Sequence, residues 1–355
     1  MNKLKFAFLA IFVISFLSTN LISQTNEVKI PLDPRVKTGK LSNGMTYFIM
    51  NNKKPENRAE LRLVVNAGSV CEDDDQKGLA HFCEHMAFNG TKNFPRQELI
   101  DYVQLIGMQF GPDLNAYTSF DETVYMLQVP TDKKEILEKG LLILQDWGSN
   151  ISFLDDEIDK ERGVIWEEWR SGKGAEERIY QKQLPYMFYD SKYAQRDVIG
   201  DTAIILHAPY EAFKRFYRDW YRPNNMAIIV VGDIDVNYIE NYIKTNFSKL
   251  ANPPNPRPRE KYTLGKPNQP LISVETDKEL SYPKISITFL HPERSNIFEK
   301  YLKMQLTERL FATMLNNRYN EYRTSPNPPF LFAFGSYDSY IGDKDAFQAT
   351  CYAKA

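Results

Sequence analysis

Cysteine is scarce in this chain: Cys71, Cys83 and Cys351 are the only three in 355 residues, which is too few for a disulfide framework. Charge of one sign is also lacking. With 44 Lys and Arg against 46 Asp and Glu the net charge is −2, so nothing resembles the basic footprint of a nucleic-acid binder. That balance gives no clue to the charge of a substrate. No long hydrophobic run is present either. The strongest, residues 6–17, is about twelve residues, short of a comfortable bilayer span. A hydrophobic content of 43% with 25% charged residues excludes a disordered or fibrous chain. At this length two domains are expected, each able to bury a core.

Histidine is the fourth scarcity, and the informative one. Of four histidines, two lie within His81-Phe82-Cys83-Glu84-His85. On a helix, His81 and His85 sit one turn apart and project from one face. Two imidazoles so placed can grip one metal ion, and Glu84 shares their face as a proton acceptor. Phe82 and Cys83 turn towards packing. The pattern H-x-x-E-H supplies most of the parts of a zinc hydrolase.

Such a site needs a third protein ligand and an open position for water. Residues 153–170 offer one. Asp155, Asp156 and Glu157 mark a helix start, and Ile158, Val164, Ile165, Trp166 and Trp169 give the helix an apolar side. Glu161 and Glu168 are seven residues apart, two turns on nearly one face, with Glu167 about 100° round from Glu168. Spacing alone does not choose between Glu161 and Glu168.

Four ordered blocks carry a family resemblance. They are the stretch from Gly78-Leu79-Ala80-His81 to Phe88-Asn89-Gly90-Thr91, then Asn115-Ala116-Tyr117-Thr118, then Glu161-Arg162-Gly163 to Glu167-Glu168-Trp169, and Arg222-Pro223-Asn224-Asn225-Met226. The chain resembles the pitrilysin family of inverzincin metallopeptidases, which includes insulin-degrading enzyme, the mitochondrial processing peptidase and bacterial periplasmic zinc proteases. The resemblance implies an α+β fold: a two-layer, mixed but mainly antiparallel sheet with helices packed on it, in tandem homologous domains. It implies one zinc per chain, held by His81, His85 and Glu168, with Glu161 supporting the ligands from behind. Glu84 would be the general base, taking a proton from water and later passing it to the leaving amine. The substrate implied is a peptide or unfolded protein, added as a strand beside Asn115 and Ala116. Further domains of a full-length chain, or a partner subunit, would close over the site. A non-catalytic subunit of the same fold and a small-molecule metallohydrolase are the competing readings. The first usually loses the motif that this chain keeps, and the second has no need of the edge strand.

Domain organisation is readable as well. Lys3 and Lys5 before the run at 6–17 read as an export signal over 1–23, cleaved after Ser23; an uncleaved membrane anchor is the alternative. Export without disulfides suits a bacterial periplasm, or secretion. Residues 30–250 read as the catalytic domain, with strands at 46–50, 61–65, 115–129 and 226–231. Helices are expected at 78–88, 96–107, 133–147, 155–170, 210–221 and 236–247. Proline-dense residues 251–270 read as a linker. Residues 271–355 read as the start of a second, inactive domain, with strands at 284–290 and 330–336 around long helices over 296–322. It repeats the theme without the motif and is shorter than the first.

Overall fold

A computed structural model describes residues 28–294 and 297–354. The expected export signal, residues 1–23, lies outside the described residues. Among those described, no helix is long and apolar enough to cross a membrane. The chain divides into two compact units. The larger comprises Leu32–Lys284 with Tyr340–Lys344 and the chain from Tyr352; the smaller comprises Ile285–Ser339 and Asp345–Cys351 with the described residues before Leu32.

The larger unit is built on six strands: β1 (Lys37–Lys40), β2 (Thr46–Asn51), β3 (Arg58–Val65), β4 (Leu114–Thr118), β5 (Thr123–Pro130) and β6 (Met226–Gly232). Their order across the sheet is β1-β2-β6-β3-β5-β4. Only β2 and β6 run parallel; every other neighbouring pair is antiparallel. The mixed, mainly antiparallel α+β class is therefore as expected. Alternation drives the layering. On β3 the side chains of Ala59, Leu61, Leu63 and Val65 are buried while Arg58, Glu60, Arg62 and Val64 are not.

The sequence pattern at 115–129 was expected as one strand-like run. It is instead a hairpin, β4 and β5, turned at Ser119 to Glu122, where the Ser119 N–H donates to the Glu122 carbonyl. Ser119 Oγ also accepts from the Asp121 and Glu122 N–H groups, so short polar side chains close the turn. The hairpin makes β4 the edge of the sheet.

Helices cover one face: α1 (Leu79–Met86), α2 (Glu98–Leu105), α3 (Lys134–Ser149), α4 (Asp155–Gly172), α5 (Ala175–Met187), α6 (Thr202–His207), α7 (Tyr210–Trp220) and α8 (Val236–Asn246). Helix α3 lies close on the sheet because Gly140 has no side chain. A Cβ there would come within 2.7 Å of Leu61 Cδ1 and 3.1 Å of Val129 Cγ1. Helices α5 and α6 were not expected. Helix α5 contains Pro185 and is strongly polar, and α6 is a single short stretch capped by Asp201. Residues 251–270 form no helix or strand, as their prolines predict, and the irregular chain continues to residue 283. They belong to the larger unit, held by Arg257 to Asp73, Arg259 to Asp121 and Arg178 to Asp277, each at 2.7 Å.

The smaller unit has three strands, β7 (Lys284–Pro292), β8 (Phe330–Ile341) and β9 (Lys344–Ala353), in the order β7-β9-β8, with one helix, α9 (Glu299–Arg323). The long helices expected over 296–322 are this single helix. Strand β9 was not expected: Asp345, Gln348, Thr350 and Lys344 dilute its apolar signal.

Candidate metal centre

The centre is assembled from α1, α4 and β4. Helix α1 starts at Gly78, whose φ of +97° suits glycine and whose Cβ would stand 3.0 Å from the Gly200 Cα. Its first N–H groups do not face water. Glu72, wholly buried, accepts from the Gly78 N–H at 3.0 Å and the Ala80 N–H at 2.8 Å. A carboxyl oxygen there satisfies N–H groups that the helix itself leaves unpaired. Phe82 and Cys83 are fully buried, Phe82 edge-on to Phe213, which turns the opposite face of α1 to the cleft.

On that face His81 Nε2 and His85 Nε2 are 3.2 Å apart. Helix α4 brings in Glu168, with Oε1 3.8 Å from His81 Nε2 and Oε2 3.5 Å from His85 Nε2. One ligand atom from each of the three lies within 4.8 Å of the others. Glu161, two turns earlier on α4, stands at the other nitrogen: its Oε1 is 2.7 Å from His85 Nδ1. Asn89 Nδ2 donates to the second oxygen of Glu161. The two glutamates, alike by spacing, are separated in space. Glu168 faces the paired Nε2 atoms, and Glu161 sits behind His85.

The donor set fits a zinc ion. In neutral His85 the Nδ1–H donates to Glu161, and Nε2 then carries the lone pair. Two imidazole nitrogens and a carboxylate then converge with no donor of their own between them, which is repulsive unless a cation or protons fill the gap. Burial, and then the charge of His85, push the His81 imidazolium well down, so His81 is neutral as a ligand must be. Burial alone would lower His85 too, but the Glu161 and Glu168 carboxylates outweigh it and raise its pKa. When His85 takes up a second proton, it in turn holds Glu168 low, hence ionised. His81 Nδ1 is buried with no hydrogen-bond partner, so His81 is placed by packing where His85 is placed by a carboxylate.

Glu84 is one helical position from His85 and points into the same cleft. Burial raises its carboxyl, and a hydrogen bond from Thr118 Oγ1 at 2.5 Å partly opposes the rise. The cleft, about 1060 Å³, is lined by these groups, by Asn115 to Thr118 of β4, and by Phe88 and Phe110. Asn115 and Ala116 lie on the sheet's edge, where the Ala116 N–H donates to Asn115 Oδ1 at 2.8 Å. Three contributors escaped sequence reasoning. Thr118 belongs to the second block, where it reads only as a β-former. Asn89 stands four residues past the motif, within the first block, and no role attaches to it from sequence. Glu72 stands in an acidic run that reads as surface, and no sequence signal marks it as buried.

Comparison with known proteins agrees with this geometry. The model of the insulinase family (peptidase family M16) matches residues 47–202. That of the peptidase M16 inactive domain matches residues 207–326. The chain is 37% identical over 325 residues to a probable zinc protease PqqL of Haemophilus influenzae, covering 91% of this chain and 35% of that protein. It is 41% identical over 221 residues to the probable zinc protease PqqL of Escherichia coli, covering 62% and 24%. The chain therefore spans about a third or less of the length of these curated relatives. The crystal structure of the first half of the periplasmic protease PqqL from Escherichia coli superposes with a TM-score of 0.78 at 31% identity, covering 92% of this chain and 70% of that one.

Proposed function

Because the chain belongs to the insulinase family of peptidases, family M16, we propose that it acts as a zinc-dependent endopeptidase on peptides or small or unfolded proteins. The observation that carries the reading is the convergence of His81, His85 and Glu168 beside a buried carboxylate, Glu84, in one cleft. Zinc held by those three would supply a Lewis acid able to polarise a peptide carbonyl and acidify water. The chain's own residues do the rest. Glu161 keeps the proton on His85 Nδ1 and so presents Nε2. Glu84 takes a proton from the attacking water and returns it to the leaving amine nitrogen. Burial, which raises the Glu84 carboxyl, suits a group that must both accept and release a proton.

Strand β4 lies at the sheet edge with Asn115 and Ala116 lining the cleft, and a substrate peptide adds there as a further strand. Such binding reads backbone more than side chain, so sequence tolerance is broad. Residues 30–250 form the catalytic domain in this reading, 251–270 the linker, and 271–355 the start of an inactive domain. Further domains of a full-length chain, or a partner subunit, close over the cleft. Likeness to a periplasmic protease supports an exported protein that works in the periplasm.

The test is a pair of measurements on purified protein. Zinc content should be one per chain, and a fluorogenic peptide should be cleaved. Glu84→Gln should keep the zinc and lose turnover by about 10²- to 10⁴-fold. Loss of zinc together with turnover would place Glu84 among the ligands instead.

A further inference from the structure

Thr118 ends β4 and is paired in register with Thr123 across the hairpin. Its hydroxyl has two neighbours within reach: Glu84 Oε2 at 2.5 Å and Thr123 Oγ1 at 3.4 Å. Which of them receives the proton follows from the surroundings. Thr123 is fully buried, and its own hydroxyl donates to the Ala67 carbonyl at 2.9 Å. A hydroxyl has one proton, so Thr123 has none left for Thr118. An O–H donor to an ionised carboxylate has a normal distance of about 2.5–2.7 Å. The short contact is therefore Thr118 donating to Glu84, and the long one leaves Thr123 as a weak second acceptor. Nothing else among the described residues makes a hydrogen bond to the Glu84 carboxylate.

We propose that Thr118 is the positioning residue of the general base: by holding Glu84 Oε2 it leaves Oε1 as the oxygen that carries the transferred proton. The inference rests on the peptidase reading above. In that reaction a water O–H bond breaks as Glu84 Oε1–H forms, and the hydroxide oxygen bonds to the peptide carbonyl carbon. When the C–N bond breaks, the proton on Oε1 passes to the amine nitrogen. Thr118 keeps its own proton throughout. A further consequence comes from where Thr118 sits. It belongs to the strand that receives the substrate, so the base and the scissile bond are set from one backbone. A substrate registered on β4 is thereby registered on Glu84. A carboxylate free to rotate would lose this alignment, because near-attack geometry depends on displacements of about 1 Å.

The test uses two substitutions in the full chain. Thr118→Val keeps the shape and removes the hydroxyl; Thr118→Ser keeps the hydroxyl. Thr118→Val should leave zinc content unchanged and KM within about two-fold, and lower kcat by about 10- to 100-fold, the range of a hydrogen bond to a charged group. Thr118→Ser should recover kcat to within a few-fold. The inference is overturned by a kcat for Thr118→Val close to wild type, by a Thr118→Ser defect as large as that of Thr118→Val, or by an effect on KM alone. A second readout needs no turnover. In chemical unfolding of the metal-free chain, Thr118→Val should shift the unfolding constant at least about five-fold more with Glu84 present than in a Glu84→Ala background. Equal shifts overturn the contact itself. A wild type that binds zinc but cleaves no peptide overturns the peptidase reading, and the unfolding cycle then still decides whether Thr118 holds Glu84.

Discussion

The two compact units are written in similar residues and reach different ends. In the larger, Leu61, Leu63 and Val65 of β3 are fully buried, and α3 seats on them through Gly140. In the smaller, Ile287 and Phe289 of β7 are 54% and 61% exposed, and Leu310 and Met314 of α9 are 66% and 69% exposed. Buried residues of its strands and helix are few, among them Ala312, Gly335, Ala346 and Thr350. Apolar content is thus no measure of a core: two covered layers are needed, and α9 spreads its apolar residues around the helix instead of along one stripe. Chemistry divides in the same way. In the larger unit His85 meets carboxylates at both nitrogens, Glu161 at Nδ1 and Glu168 at Nε2, and His81 meets Glu168 at Nε2. His291 in the smaller unit has a buried Nε2 with no partner, and no second metal-ligating group occurs among the described residues.

Metal content should show the contrast most sharply. His85→Ala is expected to abolish zinc binding and His291→Ala to leave it unchanged, as measured by elemental analysis of the purified proteins. Zinc retained by His85→Ala at full occupancy would break the contrast at its centre.

Stability should follow burial. Leu63→Ala removes a fully buried side chain and should cost about 2–5 kcal/mol. Leu310→Ala removes an exposed one and should cost less than about 0.5 kcal/mol. Denaturant titration of the two variants reads both numbers, and equal costs would mean that α9 is covered in solution.

Within the larger unit, the two glutamates of α4 sharpen the picture. Glu168→Gln should remove most of the zinc affinity. Glu161→Gln acts through His85 and should weaken binding by about 10- to 100-fold. Competition with a chelator ranks them, and the reverse ranking would exchange their roles.

A further contrast concerns pH. Burial pushes the Glu72 carboxyl from 4.5 up to about 8, and the bonds from the Ala80 and Gly78 N–H groups oppose this only in part. The folded state therefore holds that proton more tightly than the unfolded chain. The resulting stability is full below pH about 4.5 and is lost as pH rises through about 8. Thermal melts of Glu72→Gln across pH 5–8 should be flatter than wild type, and an unchanged slope would locate the titration elsewhere.

Much of the architecture was legible because it rests on local patterns. A continuous apolar run marked β6, and acidic residues followed by an apolar side marked α4. The run at 115–129 misled because β4 and β5 are both β-formers and the turn between them is made by serine and acidic side chains, without glycine or proline. Helix α5 was missed because its sequence is polar and contains Pro185, and β9 because polar residues interrupt it.

At the site, the sequence by itself determined that His81, Glu84 and His85 share one helix face and that Glu161 and Glu168 share one face of a second helix. These follow from 3.6 residues per turn, which any helix obeys. Only the tertiary structure decided where each glutamate stands. Glu161 and Glu168 are separated by about 10 Å along one face, so periodicity treats them alike. The packing of α4 against α1 sets one at His85 Nδ1 and the other between the Nε2 atoms. The same holds for Glu72 and Thr118. Each acts through a contact between elements, and the direction of a hydrogen bond depends on what else its donor has already bound.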